Sequence, residues 1–161
     1  MPPLGARTDA PHRDVGCDPA AMRILLVDPR PDSRSAIVHW LDEFFGHVQI
    51  ESAASGAEAL RAMEKSAPDL VLAAHPMPAP GGVELAAIVK ARPNPPAVVI
   101  IASGCVAGLD LQCRAAGADL WLEQGHLQAR LLDFLQRRFP AIWARSVSAR
   151  ALSALCARSG L

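Results

Sequence analysis

Asp69-Leu70-Val71-Leu72-Ala73-Ala74-His75-Pro76-Met77-Pro78 decides the architecture. Its apolar run has no polar alternation and stops at prolines, which reads as a short strand, Leu70 to Ala74, buried on both faces. Pro76, Pro78, Pro80, Gly81 and Gly82 then form a loop that is stiff first and flexible after, before a helix from about Val83 to Ala91. Pro93, Pro95 and Pro96 end that helix. The same grammar recurs on either side. Ile24 to Val27 is a buried strand bounded by Pro29 and Pro31, Val98 to Ala102 is another, and Ala118 to Leu122 is the last. Val48 to Ser52 alternates and suits an edge strand.

Helical stripes fill the intervals. Ile37, Trp40, Leu41, Phe44 and Phe45 lie on one face of a first helix, with Asp32 and Ser33 as N-cap candidates and Gly46 as its C-terminal stop. Ser55-Gly56-Ala57-Glu58 is a capping-box pattern opening a second helix lined by Ala59, Leu60 and Met63. Val106 to Ala115 reads as the fourth helix, and Leu127, Leu131, Phe134 and Leu135 line the fifth. Five strands alternating with helices predict an α/β fold, a doubly wound parallel sheet in the flavodoxin-like order 2-1-3-4-5 with right-handed crossovers. Ligands of such sheets sit beyond the strand carboxyl ends, and Asp28, Ala74, Ser103 and Gln124 all fall there.

Composition bounds the rest. At 161 residues, 51% of them hydrophobic, the chain can bury one full core. No apolar run reaches the roughly 18 residues of a membrane span. Met1 to Ala21 has no charged start followed by an apolar stretch, so it is not a secretion signal, and its Pro, Gly, Asp and Arg content reads as an unstructured extension. Met22 directly precedes the first strand and is an alternative start. Cys17, Cys105, Cys113 and Cys156 form no paired spacing, which argues against a metal site or disulfide framework and for reduced cytosolic thiols. Arg23 to Asp133 carries nine basic and thirteen acidic residues, whereas Phe134 to Leu161 carries five arginines and no acid. Such a tail is either a solvated helix face or a contact for an acidic partner or nucleic acid. Within Pro140 to Leu161, Ile142, Trp143, Val147, Leu152, Leu155 and Cys156 give a loose stripe. The stretch reads as an extra C-terminal helix, too short for a separate output domain, that packs on the body, mediates docking or begins a linker that once led to an output domain.

In order and spacing, Val27-Asp28, Ser55-Gly56-Ala57-Glu58-Ala59-Leu60, Asp69-Leu70-Val71-Leu72, Met77-Pro78 before Gly82, and Ala116-Gly117-Ala118-Asp119 resemble the receiver domains of bacterial response regulators, over about Arg23 to Phe139. The resemblance implies two adjacent acids after the first strand that help bind Mg²⁺, and a phosphoacceptor aspartate after the third. It also implies a hydroxyl donor after the fourth strand and a lysine after the fifth. Phosphoryl transfer relies on positioning and charge compensation, so each group has a physical role. Asp28 matches the first acid, but Pro29 stands in place of the second. Ala74 stands at the acceptor position, Ser103 matches the hydroxyl, and Gln124 replaces the lysine, with Gly125 after it in place of a proline. One carboxylate is a poor Mg²⁺ cage, and a dianionic phosphate would find neither cation nor lysine. The expectation is a degenerate receiver with no cofactor, no bound metal and no enzymatic activity, acting in bacterial two-component signalling through protein contacts.

Trp121 stands three residues before the lysine position, where receivers usually carry a switch aromatic; it is either that residue or a core aromatic of the last strand. The expected contact face is built by the fourth helix, fifth strand and fifth helix, for a protein partner or a second copy of the chain. Two other readings stay open. One is a phosphorelay regulator with a non-standard acceptor, Asp28 or His75. Against His75, successive strand residues point to opposite faces. The other is a sensor binding a small ligand at the strand ends, although Asp28-Pro29-Arg30-Pro31-Asp32 offers few free N–H groups for a phosphate.

Overall fold

The computed structural model describes residues 21–147. The expected unstructured extension, apart from its last residue, and the tail beyond residue 147 lie outside the described residues. The strands are β1 (Arg23–Val27), β2 (Gln49–Ala53), β3 (Leu70–His75), β4 (Ala97–Ala102) and β5 (Leu120–Glu123). The helices between and after them are α1 (Pro31–Phe45), α2 (Gly56–Lys65), α3 (Gly82–Lys90), α4 (Leu109–Ala116) and α5 (Leu127–Arg138), with a single 3-10 turn at Gln124–His126. Residues 140–147 form a further helix, α6. All five strands are parallel, in the order β2-β1-β3-β4-β5, as expected.

Strand alternation sorts the core into two layers. Ile24, Leu26, Leu70, Leu72, Val99, Ile101 and Leu122 face α1 and α5, where they meet Ile37, Leu41, Phe45, Leu131 and Leu135. Leu25, Val27, Val71, Ala73, Val98, Ile100 and Ala102 face the other way, onto Ala59 of α2, Leu85, Ala86 and Val89 of α3, and Leu109 and Cys113 of α4. Burial on both faces explains the unbroken apolar runs. β2 has one neighbour only, and its Glu51 and Ser52 are exposed.

Helix ends mostly follow their sequence signals. Ser55 Oγ accepts from the Glu58 amide at 3.2 Å, and the Glu58 carboxylate reaches back to the Ala54 amide at 2.7 Å. Gly46 ends α1 with φ 61° and donates to the Asp42 carbonyl. Two starts differ from expectation. α1 begins at Pro31, with Arg30 at the N-cap and no side-chain cap, so Asp32 and Ser33 lie within its first turn. Proline suits the first helical position, since its φ is preset and an N–H there would have no partner anyway. α4 begins at Leu109 rather than Val106, because Gly108 adopts φ 77° and interrupts any earlier helix.

Close approach fixes the loop after β3. A β-carbon on Gly82 would stand 2.5 Å from the Ala74 carbonyl oxygen, and one on Gly56 would stand 2.5 Å from the Pro80 carbonyl oxygen. The amino end of α3 is thereby pressed onto the exit of β3, and that of α2 onto the loop at Pro80. At the opposite end of the sheet, α6 packs on the body: Phe139, Ile142 and Trp143 join the α1–α5 layer, and Trp143 stacks on Phe44 at 5.9 Å. Ser146 is buried and its hydroxyl donates to the Ile142 carbonyl at 3.0 Å. Of the expected roles for the tail, packing on the body holds for this part. No helix among the described residues is long and apolar enough to cross a membrane.

Candidate functional site

Register brings the predicted residues to one edge. Val27 pairs with Ala73, Ala74 with Ile101, and Ala102 with both His75 and Glu123. Asp28, Ala74, Ser103 and Gln124 are therefore the next positions outward on four adjacent chains, at the carboxyl ends of β1, β3, β4 and β5. By parity all four continue the α1–α5 side of the sheet.

Asp28 is 2% exposed, so its carboxylate must be hydrogen-bonded and compensated. The Arg30 amide donates to its Oδ1 at 2.8 Å, closing a short turn across Pro29. The Arg30 guanidinium folds back over the same carboxylate, with Nε 3.4 Å from Oδ1 and Nη2 3.4 Å from Oδ2. Nη2 also donates to Gln124 Oε1 at 3.1 Å and lies 3.5 Å from Ser33 Oγ. Gln124 Nε2 in turn donates to Ser33 Oγ at 3.3 Å. From below, Arg34 Nη1 donates to the Asp28 carbonyl at 2.6 Å. A closed polar network thus joins the exit of β1, the first turn of α1 and the turn after β5.

This network corrects one expectation. The pocket does not lack positive charge, because Arg30 and Arg34 both enter it. The neutral Gln124 side chain reaches Arg30 and Ser33. An arginine fork can serve a carboxylate and an amide oxygen at once, which a lysine ammonium does less well. Asp28 itself acts as a turn partner to the Arg30 backbone N–H. Sequence reading missed Arg30, Arg34 and the part played by Ser33. The available signal was the pair of guanidinium side chains two and six residues after a lone acid.

The other positions are plainer. Ala74 is 4% exposed and contributes only a methyl group. His75 points to the opposite side, where its Cβ would lie 3.5 Å from a β-carbon on Gly82. Its Nδ1 is buried without a hydrogen-bond partner. The Ser103 amide donates to the His75 carbonyl at 2.9 Å and its hydroxyl lies 3.4 Å from the same oxygen, so Ser103 ties off the strand end. Trp121 is half-buried against the α2–α4 layer, and its indole N–H donates to Asp110 Oδ1 of α4 at 3.0 Å. Asp110 also pairs with Arg114 at 3.1 Å. Cys113 lies under the same helix; burial, then the nearby Asp110 charge, pushes its thiol up, which keeps it protonated and unreactive.

A divalent cation does not fit these residues. Magnesium wants several oxygens in near-octahedral array. The strand ends offer one carboxylate, already engaged by a guanidinium, beside a proline and a methyl group. Among the described residues no cluster of three or more His, Cys, Asp or Glu side chains could hold a metal ion.

Comparisons with known proteins bear on the family and the fold. The family model for the response regulator receiver domain matches residues 24–136. A transcriptional activator protein of Pseudomonas putida, ExaE, is 30% identical over 116 residues, covering 72% of this chain and 54% of its own. The positive alginate biosynthesis regulatory protein of Pseudomonas aeruginosa is 35% identical over 79 residues, covering 48% of this chain and 32% of its own. This chain therefore spans about half, or less, of the length of these curated relatives. Among solved structures, the Vibrio cholerae chemotaxis protein CheY4 is similar with a TM-score of 0.64 and 25% identity, over 73% of this chain and 98% of that one.

Proposed function

This chain belongs to the response regulator receiver domain family, and from that premise we propose that it works without phosphorylation, as a cytoplasmic protein-interaction module in bacterial two-component signalling. One observation carries the reading. The buried carboxylate of Asp28 is neutralised from within by Arg30, and beside it the acceptor position near the end of β3 is Ala74. In the family an aspartate after β3 accepts the phosphoryl group; a methyl group cannot. The transferred group also needs charge compensation positioned around it. Here the nearest guanidinium is held by Asp28, and Gln124 is neutral. The same loss of a nucleophile speaks for a binding role rather than an enzymatic one.

The partner face in this reading is α4–β5–α5. Trp121 is pinned to α4 through Asp110, so its half-exposed ring is presented in one position rather than swinging. Leu111 stands 72% exposed on α4. A rigid, half-exposed aromatic is a common anchor for a protein partner or a second copy of the chain. The regulatory names of both curated relatives favour a partner in gene regulation.

Affinity capture tests the proposal. The full chain is used as bait in extract of its parent bacterium, with and without Mg²⁺ and beryllofluoride. The same partner is expected in equal amount under both conditions, and Trp121→Ala is expected to weaken its capture about tenfold or more. Capture that requires beryllofluoride would overturn the reading.

A further inference from the structure

We infer that Arg30 is the built-in cation of this pocket: its guanidinium takes the part of a divalent ion at Asp28 and locks the turn after β5 to the start of α1. The inference deepens the phosphorylation-independent reading above and rests on it. Three separate chain segments converge on this one side chain: Asp28 from β1, Ser33 from α1, and Gln124 from the turn after β5. The loop is built for the purpose. Pro29 and Pro31 flank Arg30, and each ring fixes its own φ and restricts the residue before it. Arg30 is thereby left in one extended backbone conformation, φ −86° and ψ 114°. Its amide is anchored on Asp28 Oδ1, so the side chain starts from a fixed point and returns to the same carboxylate. Little freedom remains to be lost when the clamp closes, which makes a half-exposed guanidinium a more persistent partner than a surface ion pair of ordinary flexibility.

This arrangement has a consequence beyond the missing acids. An incoming divalent cation meets a carboxylate that is already compensated, with Arg34 adding a second positive charge on the Asp28 carbonyl. Replacing the absent carboxylates is therefore not sufficient to rebuild the ion site. Arg30 must leave as well.

The test uses the full chain and Mn²⁺ followed by titration calorimetry. Three variants are compared: Pro29→Asp with Ala74→Asp; the same pair with Arg30→Ala; and the same pair with Arg34→Ala. Mn²⁺ is expected to bind at least about tenfold more tightly once Arg30 is removed, and removal of Arg34 is expected to help less. Equal affinity with and without Arg30, or an equal gain from Arg34→Ala, overturns the inference. A variant-free measurement decides the matter if the substituted chains do not fold or bind no Mn²⁺. In the unaltered protein the Arg30 Nε–H is expected to give a resolved NMR signal protected from solvent exchange. Exchange as fast as that of the exposed Arg130 overturns the clamp. Uptake of a phosphoryl group by the unaltered chain would instead remove the functional proposal, so the two failures are distinguishable.

Discussion

Gly82→Ala is expected to destabilise the fold by about 3 kcal/mol, the upper part of the usual range for overpacking a tight contact. The reason is steric. Gly82 has no left-handed backbone; its constraint is that the new β-carbon would stand 2.5 Å from the Ala74 carbonyl oxygen and 3.3 Å from its carbonyl carbon. Both atoms are backbone at the exit of β3, a strand paired on both sides, so neither can give way. α3 would have to move, and with it Leu85, Ala86 and Val89, all fully buried. Gly104→Ala is the control. No atom beyond its chain neighbours lies within 4 Å of its β-carbon position, so its unfolding free energy should stay within about 0.5 kcal/mol of the parent. Urea unfolding followed by tryptophan fluorescence reads both. An unchanged midpoint for Gly82→Ala would mean that α3 is not seated on the end of β3.

The second large effect concerns the helix that follows the receiver core. Trp143→Ala removes a ring stacked on Phe44 and packed among Met22, Phe45 and Phe139, and is expected to cost about 2 to 3 kcal/mol, less than a fully buried tryptophan would. Scanning calorimetry of the full chain should show one transition at a lowered midpoint. Val147→Ala, at a half-exposed position of the same helix, should leave the midpoint nearly unchanged. If Trp143→Ala behaves like Val147→Ala, α6 contributes nothing to the fold, and its packing against α1 has no energetic weight.

Much of this molecule was legible in its sequence, for identifiable reasons. The order of the sheet followed from apolar runs too continuous for a one-faced strand, each closed by Pro or Gly, with helical stripes between them. The positions of Asp28, Ala74, Ser103 and Gln124 followed from topology, since all end strands of one parallel sheet. The opposed direction of His75 followed from the two-residue period of a strand. The capping box at Ser55 and Glu58 and the terminating Gly46 are local signals, complete within a few residues. The failures were of a different kind. Proline at the first position outweighed Asp32 and Ser33 in setting the start of α1, and left-handed Gly108 postponed α4. Both signals stand in the sequence, at Pro31 and Gly108.

The Arg30 network was not legible. Nothing local to Asp28-Pro29-Arg30-Pro31 says where a long guanidinium side chain will settle. Its partner Gln124 lies 94 positions away in sequence, and the Gln124–Ser33 bond spans 91. Such contacts exist only after the sheet has aligned its carboxyl ends. Reading the strand ends for missing acids gave a neutral, empty pocket, whereas the folded chain supplies its own counter-charge there. That difference bears on function. A pocket that had merely lost its acids would be loose, while one clamped by Arg30 ties the turn after β5 to the start of α1.

The most direct test of the account is intact-mass analysis of the full chain after prolonged incubation with acetyl phosphate and Mg²⁺, alongside a receiver that retains its acceptor aspartate. The chain is expected to keep its unmodified mass while the control gains a phosphoryl group. A stable phosphoryl adduct on this chain, mapped to Asp28, His75 or any other residue at the strand ends, would contradict it.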